Sequence, residues 1–253
     1  MHHDDINWFE SESFWTVLFP FMFPEASFVA AAENVPKVAA LTGVAGGKVL
    51  DLACGPGRYA IPLAQAGYAV TGVDRTRFLL DHARERASRA GAKIEWIEQD
   101  MRDFIRPAAF DLALNVYTSF GYFDEWAENR RVLANIYASL KPGGAFVFDH
   151  LGKEVLAARF QPTWSDSLPD GTLLFHRQSI IDDWSRIEAE WTLVAGDRAT
   201  KFRLRHWLYS GQEIRELLTS VGFVEIALHG TLDGASYDAQ AQRLIAVARK
   251  PRA

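Results

Sequence analysis

Between Lys48 and His150, short β-branched apolar runs alternate with stretches whose apolar positions recur at helical spacing, the pattern of βαβ units around a parallel sheet. The runs predict strands near 48–53, 68–73, 93–98, 110–116 and 144–149, with helices over 58–66, 76–90 and 124–140 between them. Gly91 marks the end of the second helix, and Lys141, Pro142, Gly143 and Gly144 mark the end of the third, since glycine accepts the left-handed cap and proline cannot continue a helix. Right-handed crossovers would leave every strand's carboxyl end on one edge of the sheet. That edge collects Asp51, Asp74, Asp100, Asn115 and Asp149.

From 151 to 209 the period changes to two. Gly171 to Asp182, Ser185 to Val194 and Thr200 to Tyr209 alternate apolar and polar residues around turns at Asp182–Asp183 and Gly196–Asp197, which predicts an antiparallel meander inserted after the fifth strand. Its place in the chain would roof the ligand edge. Ser210 to Glu213 then reads as a capping box opening a helix that stops at Gly222, with closing strands near 223–229 and 243–249. The expectation is an α/β, Rossmann-like fold: a seven-stranded, mostly parallel sheet with helices on both faces plus the inserted meander. The divisions are 1–47, 48–150, 151–209 and 210–253. In the first of them Trp8, Phe9, Phe14, Trp15, Phe19, Phe21, Phe23 and Phe28 crowd together, either as helix packed on the core or a dimer partner, or as a lid that screens a site from water.

Composition narrows this only in places. With 253 residues and 49% hydrophobic content, one α/β domain with an insertion is more economical than two domains. A net charge of −5 argues against gripping phosphate backbones, and the arginines at 75, 77, 84, 86 and 89 would spread around a helix as a solvated face. The single cysteine, Cys54, excludes an internal disulfide and suits a reducing, cytoplasmic setting. No membrane association is expected, because the apolar stretch from Phe14 to Phe23 is short and broken by Pro20. No metal site is expected either; His2 and His3 are adjacent, without further spaced ligands.

The candidate chemistry lies at the end of the first strand. There VLDLACGPG runs an apolar strand through Asp51 into Gly55 and Gly57, a turn whose backbone can approach a ligand closely. Gly55, Gly57 and Ala60 also satisfy the dinucleotide pattern G-x-G-x-x-A. Asp51 favours a different nucleoside. Its carboxylate would repel a pyrophosphate, yet it suits a ligand with an ammonium and no phosphate, such as S-adenosylmethionine, and Asp74 at the end of the next strand could accept both ribose hydroxyls.

Together with QDMRDF (99–104), NVYTSFGYFD (115–124), LKPGG (140–144) and RHWLYSGQEI (205–214), these motifs resemble class I S-adenosylmethionine-dependent methyltransferases, especially a bacterial small-molecule-type group. The resemblance is strong over 48–150 and looser beyond. It implies the class I methyltransferase fold, and S-adenosylmethionine with S-adenosylhomocysteine as product. It also implies that Asp51, Ala53, Cys54 and Gly55 hold the methionyl part while Gly57 permits close approach. Asp74 would take the ribose, Arg75, Asp100 and Met101 the adenine, and Asn115 and Val116 would face the amino-acid end. Proton-handling candidates are Tyr117, Tyr122 and His150, with Asp149, His206 and Tyr209 and the aromatics Trp8 and Trp15 toward a small-molecule acceptor. The expected reaction is in-line methyl transfer to N or O, by a monomer or homodimer. Nucleic acid is not the expected partner: Asn115 is followed by Val116 and Tyr117 rather than by two prolines, and no Pro-Cys nucleophile is present. Two alternatives stand beside this reading, an NAD-dependent oxidoreductase and a S-adenosylmethionine-binding module without activity.

Overall fold

In the computed structural model, which describes residues 7–252, five strands run between residues 48 and 150, with helices between successive strands except the third and fourth. The His2–His3 pair lies outside the described residues. Strands β1 (Lys48–Leu52), β2 (Ala69–Asp74), β3 (Glu95–Glu98), β4 (Phe110–Asn115) and β5 (Leu140–His150) are all parallel. The C-terminal strands β10 (Val224–His229) and β11 (Leu244–Arg249) complete a seven-stranded sheet in the order β10-β11-β5-β4-β1-β2-β3, with β11 antiparallel to both neighbours. Strand order reverses between β1 and β4, the place where open α/β sheets bind ligands.

The strands alternate their side chains between two apolar layers. Leu50, Leu52, Ala113, Phe146 and Phe148 join one core cluster, which includes residues of α5 (Trp126–Ser139) and α7 (Gly211–Val221); Val49, Leu112, Leu114 and Val147 join the other, under α2 (Glu25–Thr42) and α3 (Ala60–Gln65). Near-continuous burial along β1 and β4 is what a parallel strand covered on both faces requires. Helix α4 (Arg77–Arg89) carries the arginine run, and each of its arginines has an acid: Arg77 and Arg84 with Asp81, Arg86 with Glu25, Arg89 with Glu85. The capping box opens α7 as the sequence indicates, with Ser210 Oγ accepting from the Glu213 amide and Glu213 accepting from the Ser210 amide.

Two features differ from the sequence reading. The insertion holds four strands rather than three, β6 (Thr163–Ser167), β7 (Leu173–Ile181), β8 (Arg186–Ala195) and β9 (Arg198–Trp207), preceded by α6 (Lys153–Ala158). β6 escapes notice because its TWSDS sequence is an exposed, polar edge that bears no hydrophobic alternation. β5 also runs through Pro142 and Gly143, since Gly143 and Gly144 exchange backbone hydrogen bonds with Lys250. The aromatic N-terminus forms a short 3-10 turn, Trp8–Glu10, then α1 (Glu12–Met22) and α2. Trp8, Phe9, Phe14 and Leu18 are buried in the main core. No single helix among the described residues is long and apolar enough to cross a membrane.

Candidate functional site

At the switch point the chain leaves β1 through a turn that only small residues permit. Ala53, Gly55 and Gly57 all have positive φ, at 60°, 53° and 84°. A side chain on Gly57 would put its Cβ 3.0 Å from Trp96 and 3.1 Å from Ile61, on top of the left-handed strain. Gly57→Ala is therefore expected to destabilise the fold by about 2 kcal/mol, read as a lower urea midpoint at unchanged slope.

The amides of this turn are already engaged. Cys54 N donates to Val73 O, Gly57 N to Cys54 O and Gly55 N to Asp74 Oδ2 at 2.8 Å, while the Ala60 amide at the start of α3 is hydrogen-bonded to Asp51. A pyrophosphate seated here would find carboxylates where a dinucleotide site offers bare N–H groups. The G-x-G-x-x-A match is thus a coincidence of small residues.

Asp51 is 2% exposed, and its Oδ2 has no hydrogen-bond partner. Burial pushes its pKa up to about 7, and the neighbouring Asp74 adds to the rise. Asp74 is likewise buried and raised by burial, although its two oxygens accept from Gly55 N and Thr76 N and the Thr76 side chain also bonds to it. The Cys54 thiol is pushed well above its ordinary value by burial and by these two carboxylates, which leaves it protonated and inert.

One cavity opens at this edge. Its walls include Asp51, Ala53, Cys54, Gly55, Asp74, Arg75, Asp100, Met101, Val116, Tyr117, Tyr122 and Trp15. Burial opposes ionisation of Asp100, but Arg102 donates to both its oxygens and holds it below the usual carboxylate range. Arg75 pairs with Glu10 and Asp100. Tyr117 and Thr118 are both left-handed, at φ 57° and 62°, and Asp149 holds them so: Oδ2 accepts from Tyr117 N, the Asp149 carbonyl accepts from Thr118 N, and Arg243 bridges Asp149 Oδ1 to Thr118 Oγ1. Tyr122 donates its hydroxyl to Thr118 O at 2.6 Å, and burial raises its pKa.

The remaining sequence candidates do not line this cavity. Asn115 is wholly buried and its amide ties Leu52 O to Ser119 O, joining the ends of β1 and β4. Gly57 and Asp149 support the walls from behind. His150 follows Phe146 and Phe148 on the opposite face of β5, stacked on Phe148, with its ring nitrogens on the carbonyls of Leu151 and Phe120. Burial takes it down to about 4. A one-residue step along a strand reverses the face, and that separates His150 from Asp149. His206, lowered to about 3 by burial and by His150, and Tyr209 lie in the same layer, and Trp8 packs on Tyr122 and Phe14 in the core.

Arg58 was missed. It follows the glycine turn, where it reads as the first polar residue of a helix. Its guanidinium instead turns into the cavity, 3.6 Å from the Tyr117 ring centroid and 5.0 Å from that of Phe23, and among the described residues no carboxylate stands within ion-pair reach. Burial lowers its pKa. The helical pattern carried no signal for it, because the turn and not the helix directs the side chain. No cluster of metal-ligating side chains occurs among the described residues.

Comparison with known proteins finds methyltransferases. Residues 49–144 match a family described as a methyltransferase domain. The chain is 27% identical to a putative methyltransferase of a Geobacillus species, over 96% of this chain and 99% of that one. It is similar in fold to a S-adenosylmethionine-dependent methyltransferase from Clostridium acetobutylicum, with TM-score 0.76, 15% identity and coverage of 94% and 98%. It also resembles a sugar N-methyltransferase from a Streptoalloteichus species, with TM-score 0.73, 21% identity and coverage of 94% and 92%.

Proposed function

We propose that this chain, a class I S-adenosylmethionine-dependent methyltransferase, transfers its methyl group to an N or O atom of a small molecule. The observation that carries the cofactor's placement is the pair of unmet charges in one cavity, the bare Oδ2 of buried Asp51 and the Arg58 guanidinium, which has no acid partner among the described residues. A zwitterionic amino acid matches both, its ammonium on Asp51 and its carboxylate on Arg58. Asp74 would accept from the ribose hydroxyls, and Met101 would pack on the adenine, with Arg75 and Asp100 at its rim. When bound, the cofactor supplies an electrophilic methyl on a sulfonium.

The protein's own contribution is alignment and exclusion of water, which together can lower a barrier by ~7–11 kcal/mol in favourable cases. Phe9, Trp15, Phe23 and Tyr117 form the apolar walls for that purpose, so the N-terminal helices act as a lid already closed over the site. The acid-lined turn and the paired arginines of α4 favour a small acceptor over nucleic acid. A cytoplasmic location goes with this reading, from the single reduced cysteine.

Isothermal titration with S-adenosylmethionine, S-adenosylhomocysteine and NAD checks the assignment. Micromolar affinity for the first two and none for NAD is expected; binding of NAD alone would overturn it.

A further inference from the structure

A second cleft, of about 500 Å³, adjoins the first along the Arg58–Tyr117 stack. Met22, Arg58 and Tyr117 line both spaces. The cleft's other walls come from α1 and the inserted sheet: Phe21, Asp166, Leu174, His176 and Trp191 among them.

His176 is the unusual member. Strand register places it between Trp164 on β6 and Trp191 on β8. It stacks on the first at 4.3 Å with a 6° interplanar angle and meets the second edge-on at 4.9 Å, so the ring plane has no freedom to turn. Nε2 lies 2.9 Å from Asp166 Oδ2. A carboxylate only accepts, so Nε2 carries the proton and the lone pair sits on Nδ1. Nδ1 is buried, in a residue 7% exposed, and has no partner.

An imidazole packed between two indoles, its tautomer set by an acid and its basic nitrogen buried without a partner in a side chain that lines a cleft, has the parts of a general base. We propose that this cleft receives the methyl acceptor and that His176 Nδ1 takes the acceptor's proton, with Asp166 as its positioning residue. The inference rests on the methyltransferase reading above. The acceptor class follows from the walls: a small molecule with a flat or apolar ring, seated among Phe21, Leu174 and Trp191, that bears an ionisable amine or hydroxyl. In the step, the acceptor's heteroatom forms a bond to the methyl carbon, the carbon–sulfur bond breaks with its electron pair left on sulfur, and the acceptor's proton moves to Nδ1. The resulting imidazolium is held by Asp166 until solvent takes the proton.

Burial keeps His176 below the ordinary histidine range even though Asp166 pulls it upward. Asp166, Arg58 and Tyr117 are the other titratable groups that line the cleft. The ring is thus neutral, and able to accept a proton, at pH 7.

Long-range 15N–1H spectra of histidine-labelled protein test the tautomer directly. His176 is expected as the Nε2–H form, and Asp166→Asn to erode that preference; a protonated Nδ1 in the wild type would overturn the proposal. For the reaction, tritiated S-adenosylmethionine is offered with single-ring amines and phenols as acceptor probes. The wild type is expected to label at least one, and His176→Gln to lower kcat about a hundredfold at pH 7 with S-adenosylhomocysteine affinity unchanged. That deficit should shrink as pH approaches the acceptor's own pKa, because the acceptor then sheds its proton unaided. An equal deficit at every pH means a structural histidine, and no labelled probe overturns the acceptor class. In either case intact S-adenosylmethionine binding would leave the methyltransferase reading standing.

Discussion

Asp74→Ala is expected to weaken S-adenosylmethionine binding several-hundredfold in isothermal titration, the largest single effect in the site. Two hydroxyl-to-carboxylate hydrogen bonds at about 1.5–3 kcal/mol each are removed. The same substitution frees Gly55 N and Thr76 N, the two amides that Asp74 ties down, so the left-handed turn at Gly55 loses its anchor. Asp74→Asn separates these contributions. Its one carbonyl oxygen can keep an amide and a hydroxyl, and a loss near tenfold is expected. Unchanged affinity in Asp74→Ala would remove the ribose assignment.

The second large effect is at Asp51, and it runs in opposite directions for stability and binding. In the free protein burial raises its pKa from 3.8 to about 7, so folding favours the protonated acid. The stability associated with that form is fully present below about pH 4 and is lost as pH rises through 7. Asp51→Asn has no charge to bury, so its melting temperature should exceed that of the wild type at pH 8 and match it at pH 4. Binding shows the reverse sign. A bound ammonium stabilises the carboxylate, so affinity in the wild type should fall about tenfold or more from pH 7.5 to 5.5 as Asp51 takes up a proton. Asp51→Asn should bind about a hundredfold more weakly at pH 7.5 through loss of a charged hydrogen bond, with a flat profile. A wild-type affinity independent of pH in this range would show that Asp51 does not meet the ammonium.

Particular residues mark how far the linear pattern reached. Asp51 and Asp74 were legible because each ends an apolar run, and a parallel strand's end is a place on the sheet edge whatever else surrounds it. Asp149 was legible as a strand end too, but its role was not: it braces Tyr117 and Thr118 with Arg243, a residue 94 positions away. His150 shows the same limit in a single step, since the period of two sends it to the opposite layer from Asp149. Arg58 was hidden by the turn that aims it. His176 stood in an alternating strand as an ordinary polar position, and only its partners across β6 and β8 make it unusual.

Strand and helix order, the acid at each strand end and the glycine turn between β1 and α3 are local properties. They depend on hydrophobic period and backbone freedom within a few residues, and they are enough for the α/β sheet and for the class of methyl donor. The second cleft has no such local signature. It exists because an inserted sheet folds back over the switch point and brings Asp166, His176 and Trp191 against Met22, Arg58 and Tyr117, contacts between segments far apart in the chain whose register and facing no window of sequence specifies.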